Sequence, residues 1–234
     1  MTLPPGSSLL RLGQVLLDAW EVGAHQWTQS PLRAAELKDE AAPGMPMPRD
    51  AVELFRVLEE LGVPYLLVGG MAMLTYVQDR NTKDVDLLMS LESVRQIPHL
   101  VIEDVNEFFA HGRFHSIQVD FLLVANPFFR SVAERFSSRH KFAEREVFCA
   151  TIEGLILLKL YALPSLYRQG DFGRVDLYEH DIAALIEKYA PDTDALFAHL
   201  EPHVSAPQLR ELRSIVAEID LRIARFRQRS DPRP

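Results

Sequence analysis

Two aspartates separated by one residue, Asp84-Val85-Asp86, head an apolar run that continues as Leu87-Leu88-Met89. On a strand, residues i and i+2 share a face, so both carboxylates point one way while Val85 and Leu87 point the other. Upstream, Tyr65-Leu66-Leu67-Val68 reads as a buried strand ending on Gly69-Gly70, and Met71 to Val77 suits a helix. A strand, a diglycine, a helix and then an acidic strand call for a sheet with helices packed against it.

The rest of the chain extends that pattern. Asp50 is a candidate cap for a helix in which Val52, Leu54, Phe55, Val57, Leu58 and Leu61 recur at helical spacing, stopped by Gly62 and Pro64. Leu91 to Ile97 reads as a short helix, and residues 117–124 as a strand with Asp120 at its centre. From Thr151 the periodicity becomes helical throughout: 151–163, about 175–189, 193–199 and about 206–227. The Pro- and Gly-rich stretch 41–50 reads as a linker, preceded by an amphipathic helix over 7–22. The expected fold class is therefore α+β: a small mixed-sheet lobe followed by a C-terminal helical lobe. Its expected boundaries are residues 1–45 for an N-terminal helical arm and linker, 46–150 for the mixed lobe and 151–234 for the helical one.

Composition narrows the partners. A formal net charge of −8 argues against non-specific binding of nucleic acid by the chain as a whole, because such binding sums attraction to phosphates. Two local stretches are richer in cations: Arg130, Arg135, Arg139, Lys141 and Arg145, and the C-terminal Arg210, Arg213, Arg222, Arg225, Arg227 and Arg229. Acidic residues are interspersed in both, which favours solvated helix faces. The single cysteine, Cys149, lies in an apolar run and reads as a buried small hydrophobe. With no intrachain disulfide, no basic leader and no bilayer-length apolar run, the expectation is a cytoplasmic chain without a membrane partner.

The chemistry concentrates on the carboxylates. Asp84 and Asp86 repel each other, and a hard divalent cation such as magnesium is their natural counter-charge. Asp120, set in an otherwise hydrophobic strand, needs a partner because burying it alone costs several kcal/mol, on the order of 2–7 for a polar group. A metal shared with the first two would serve. At the Gly69-Gly70 junction, the missing side chains let a phosphate approach backbone amides at the start of a helix.

The stretch LVGGMAMLTYVQDRNTKDVDLLMS resembles the signature of the polymerase-beta-like nucleotidyltransferase superfamily: an apolar run, a diglycine or Gly-Ser, a helix, an Asp-x-Asp and a later strand aspartate. GGMA followed by RNTKDVDLL is particularly similar to the AbiEii-type nucleotidyltransferases of bacterial type IV toxin-antitoxin systems. Gly69, Gly70, Asp84, Asp86 and Asp120 fall where that pattern expects them, and Gly70 replaces the phosphate-touching serine of many members. ATIEGLILLKLYAL and RVDLYEHDIAAL are similar to a second signature, which implies that Lys159 contacts the triphosphate or activates the acceptor with Asp181 in support. The spacing of Asp176 and Asp181 differs from that signature, leaving both as candidates for its acid.

The resemblance implies magnesium held by Asp84, Asp86 and Asp120, an NTP substrate and a tRNA 3′ end as acceptor. It also implies a toxin role alongside a cognate antitoxin. Arg80 and Lys83 lie beside the acidic strand, to hold the triphosphate or to form structural salt bridges. Two rivals share the pattern: nucleotide transfer to a small hydroxylated antibiotic, and a non-catalytic, antitoxin-like binding module.

Overall fold

The computed structural model describes residues 48–77, 82, 84–142 and 145–230. The N-terminal arm with its expected helix lies outside these residues, as do Arg80 and Lys83. The chain divides into two compact units, the second beginning at Thr151.

The first unit opens with α1 (Pro48–Leu61), which buries Ala51, Leu54, Phe55, Val57 and Leu58 at helical spacing. Each large side chain so buried contributes about 1.5–3 kcal/mol of transfer free energy. Gly62, at φ +61°, ends the helix. Asp50 does not cap α1 but lies within its first turn, where Oδ2 accepts from the backbone N–H of Ser116 at 3.1 Å.

The strands are β1 (Tyr65–Val68), β2 (Asp84–Met89), β3 (Leu100–Val105), β4 (Phe109–Phe114), β5 (Ile117–Leu123), β6 (Ser137–Phe142) and β7 (Arg145–Ala150). They form one mixed sheet in the order β3-β4-β5-β2-β1-β7-β6. β2 runs parallel to β5 and antiparallel to β1, and β1 runs parallel to β7. Three short helices complete the unit: α2 (Gly69–Met73), α3 (Leu91–Val94) and α4 (Pro127–Arg135). α2 and α3 stop short of the ranges expected from their apolar spacing.

The sheet is wider than the three strands evident in the sequence. β1, β2 and β5 carry the core residues Leu66, Leu67, Val68, Val85, Leu87, Val119 and Phe121. The stretch around Arg130 and Arg139, expected as a solvated helix face, is instead α4 followed by the strand β6. Arg139 on β6 lies 3.4 Å from Glu146 on β7.

The second unit contains α5 (Ile152–Gln169), α6 (Phe172–Tyr189), α7 (Thr193–Leu200), a short 3-10 turn and α8 (Ala206–Ser230). Thr151, Asp171 and Asp192 cap α5, α6 and α7 by accepting from Gly154, Arg174 and Ala195 N–H groups. Ser205 and Gln208 exchange side-chain and backbone hydrogen bonds at the start of α8, a capping box. α5 runs through Pro164, where the sequence expectation stopped it. Proline there removes one hydrogen bond, but burial of Leu163, Pro164 and Leu166 holds the helix together until Gly170 at φ +70°. Among the described residues no helix is long and apolar enough to cross a membrane.

Candidate active site

β2 lies between β1 and β5, so its residues meet neighbours on both sides. Asp86 is in register with Val68 of β1 and with Asp120 of β5, and Asp84 with Gln118. Residues paired in register share a face, so Asp84, Asp86 and Asp120 project from the same side of the sheet, on strands about 4.8 Å apart. All three are half-buried, while the alternate residues Val85, Leu87, Val119 and Phe121 are fully buried on the opposite face.

The partner that Asp120 requires is present within the sheet. Its Oδ1 lies 2.9 Å from His111 Nδ1 and accepts from Gln118 Nε2 at 3.1 Å. His111 reaches Asp120 because β4 and β5 are joined by the two residues His115 and Ser116, which set 114 opposite 117 and therefore 111 opposite 120. His111 and Gln118 are site residues that the motifs did not indicate. The signal that would have found them is this short turn, from which the pairing follows by counting.

The donor set is oxygen-only and suited to a hard cation such as magnesium. Among the described residues, however, no three His, Cys, Asp or Glu side chains are already gathered around one point. The backbone register fits a shared ion.

Gly69 is glycine for two reasons. Its φ of +65° lies in the left-handed region, and a Cβ there would stand 1.9 Å from Asp86 Oδ2. The first glycine therefore admits the Asp86 carboxylate against the main chain at the end of β1. Gly70 is packed against Thr82. α2 is a single short helix of 5 residues, so its contribution to anion binding is limited to one turn of amides.

In the helical unit, Lys159 on α5 and Asp181 on α6 form an ion pair of 2.8 Å, with side chains 5% and 2% exposed. The Lys159 ammonium also lies 4.4 Å from the centre of the Tyr178 ring. A buried ammonium needs a counter-charge, and Asp181 supplies it. Asp176, the other candidate acid, is exposed.

Cys149 is fully buried, and burial pushes its thiol up to about 12, far from the reactive thiolate range. The arginines of α8 are partly occupied within their own unit: Arg213 lies 3.4 Å from Asp194, and Arg222 lies 3.7 Å from Glu179.

No family model and no curated protein matches the chain. Among solved structures it is similar to ANT(2″)-Ia in complex with adenylyl-2″-tobramycin, at 12% identity and a TM-score of 0.49, covering 72% of this chain and 98% of that one. It is also similar to an antigenic nucleotidyltransferase-like protein from Paracoccidioides brasiliensis, at 17% identity and a TM-score of 0.40, covering 70% and 90%. A third is a tRNA-processing enzyme in an apo form, at 14% identity and a TM-score of 0.34, covering 78% and 58%. Similarities this distant carry no information about substrate.

Proposed function

We propose that the chain is a magnesium-dependent nucleotidyltransferase that moves a nucleoside monophosphate from an NTP to an acceptor hydroxyl, with a tRNA 3′ end as acceptor. In this reading it is the toxin of a toxin-antitoxin pair and has a cognate antitoxin protein. The observation that supports the chemistry is the register of Asp86 with Asp120 on adjacent parallel strands, with Asp84 on the same face and Gly69 opened for the Asp86 carboxylate.

Asp84, Asp86 and Asp120 are the residues that would hold magnesium. When bound, the ion neutralises charge on the triphosphate and lowers the pKa of the acceptor hydroxyl. The chain's own part is to fix the carboxylates on a rigid strand pair and to keep Asp120 oriented through His111 and Gln118, with Asp86 and Thr82 seated against Gly69 and Gly70. The acceptor oxygen bonds to the α-phosphorus as the bond to the leaving pyrophosphate breaks. Arg80 and Lys83 are assigned to the triphosphate. Lys159 and Asp181 pair with each other inside the helical unit and are given no step in the transfer.

A second reading, the same transfer to a small cationic antibiotic, is favoured by the net charge of −8, which repels a polyanion and attracts a cation. The experiment is incubation of the full chain with each α-labelled NTP, magnesium and either total RNA or an aminoglycoside. Label at tRNA 3′ ends supports the first reading, and label on the aminoglycoside selects the second. Retention of NTP with no product in either arm makes the chain a binding module.

A further inference from the structure

Glycine at position 70 needs a reason, and backbone geometry does not supply one. Gly69 has a positive φ, whereas Gly70 does not and belongs to α2, a conformation that any residue adopts. The obstacle to a side chain there is Thr82. A Cβ on Gly70 would stand 2.5 Å from Thr82 Oγ1 and 2.9 Å from Thr82 Cβ. A hydroxyl carried on that Cβ would compete for the volume that the Thr82 hydroxyl already fills.

Thr82 therefore brings a hydroxyl against the second glycine, two residues before Asp84. That hydroxyl is lightly held. Among the described residues it donates to the Asp84 carbonyl at 3.3 Å, long for a hydroxyl donor whose usual distance is about 2.7–2.8 Å. Thr82 as a residue is half-buried. A lightly held donor beside glycine backbone and next to the acidic strand suits an anion with several acceptor oxygens better than it suits a structural role.

We propose that Thr82 Oγ1 donates a hydrogen bond to a phosphate oxygen of the bound nucleotide, and that residue 70 is glycine in order to seat this threonine. The proposal rests on the nucleotidyltransferase reading above. It adds a phosphate-binding residue that contributes to affinity through the triphosphate, and it makes no demand on the base.

The test uses the full chain and measures binding of magnesium tripolyphosphate and of each of the four magnesium-NTP complexes by calorimetry, with melting temperature measured alongside. Thr82→Val keeps the shape and removes the donor, and it is expected to weaken both kinds of ligand about tenfold, as for one lost charge-assisted hydrogen bond. Thr82→Ser is expected to retain wild-type affinity. Gly70→Ser alone is expected to lower the melting temperature through collision with Thr82. Gly70→Ser combined with Thr82→Ala is expected to recover both melting temperature and affinity, because the hydroxyl has been moved across the same gap. Unchanged affinity in a folded Thr82→Val, or a double variant that regains stability but binds no better than Thr82→Val, overturns the proposal while leaving the transferase reading intact. Absence of any NTP binding by the wild type overturns both.

Discussion

The two units handle charge in opposite ways. In the sheet unit, Asp84, Asp86 and Asp120 sit half-buried on one face, close together by strand register. In the helical unit, Lys159 and Asp181 are almost wholly buried and satisfy each other at 2.8 Å. Clustered like charges on an accessible face gain when a cation arrives, so they are suited to ligand chemistry. A buried pair of opposite charges is already compensated, and disturbing either member costs stability first.

The largest expected effect tests that contrast directly. Lys159→Met leaves Asp181 buried without its counter-charge and is expected to lower stability by about 3–5 kcal/mol. Adding Asp181→Leu removes the orphaned carboxylate and is expected to restore most of the loss. Denaturant unfolding of the three proteins measures both steps. Transfer activity of the refolded double variant then separates the roles: wild-type kinetics assign the pair to the scaffold, whereas a loss of at least about tenfold assigns the lysine to phosphate or acceptor as well.

On the other side of the comparison, Asp86→Ala is expected to reduce nucleotide transfer at least about a hundredfold, the scale of losing one preorganised electrostatic contact. Melting temperature is measured alongside, so that activity is compared between folded proteins. A folded variant with ordinary activity would remove Asp86 from the site.

The same contrast explains what was legible in the sequence. β1, β2 and β5 are central strands with apolar runs or strict alternation, and buried positions write themselves plainly as Leu, Val, Met and Phe. β3, β4 and β6 were invisible because they carry mixed polar residues, as in Ser137-Ser138-Arg139-His140, and β3 and β6 form the edges of the sheet. Asp84, Asp86 and Asp120 stood out because a charge inside an apolar strand is expensive. His111 did not, since an imidazole in an outer strand is unremarkable until the turn at 115–116 fixes the register. Lys159 was conspicuous for the same reason as the aspartates, yet the burial that made it conspicuous also binds it to Asp181. Spacing alone does not tell which charges are open to a ligand and which are held within a core.

An intermediate effect is expected at Gly69. Alanine there meets both a left-handed backbone, worth about 1–2 kcal/mol, and the Asp86 carboxylate 1.9 Å from the new Cβ. Stability is expected to fall by about 2 kcal/mol, with transfer falling further than the folded fraction explains, because Asp86 must move. Gly69→Ala in an Asp86→Ala background isolates the collision. The two substitutions are expected to be less than additive in stability, and strict additivity would show that Asp86 does not press against this glycine.

The smallest effect belongs to a third way of handling charge, which is to avoid it. His140 on β6 lies with Nε2 2.9 Å from Ser138 Oγ and 3.3 Å from the Tyr76 hydroxyl, and burial lowers its pKa below the usual 6.5. A depressed folded-state value means that, as pH falls, the unfolded chain takes up this proton first. The stabilising contribution is therefore complete above about pH 6.5 and declines as the pH drops from there toward the folded-state value. His203 in the helical unit is shifted the same way by burial and adds to the slope in the same window. His140→Gln retains a polar side chain while removing one titration, so the difference between wild type and variant isolates His140 from His203 and from every carboxylate. Melting temperatures at about pH 7.5 and about pH 5.5 are expected to fall further in the wild type than in His140→Gln. Parallel declines would mean that the folded protein accepts the proton at this ring as readily as the unfolded chain, and that the edge of the sheet tolerates charge as its central acidic face does.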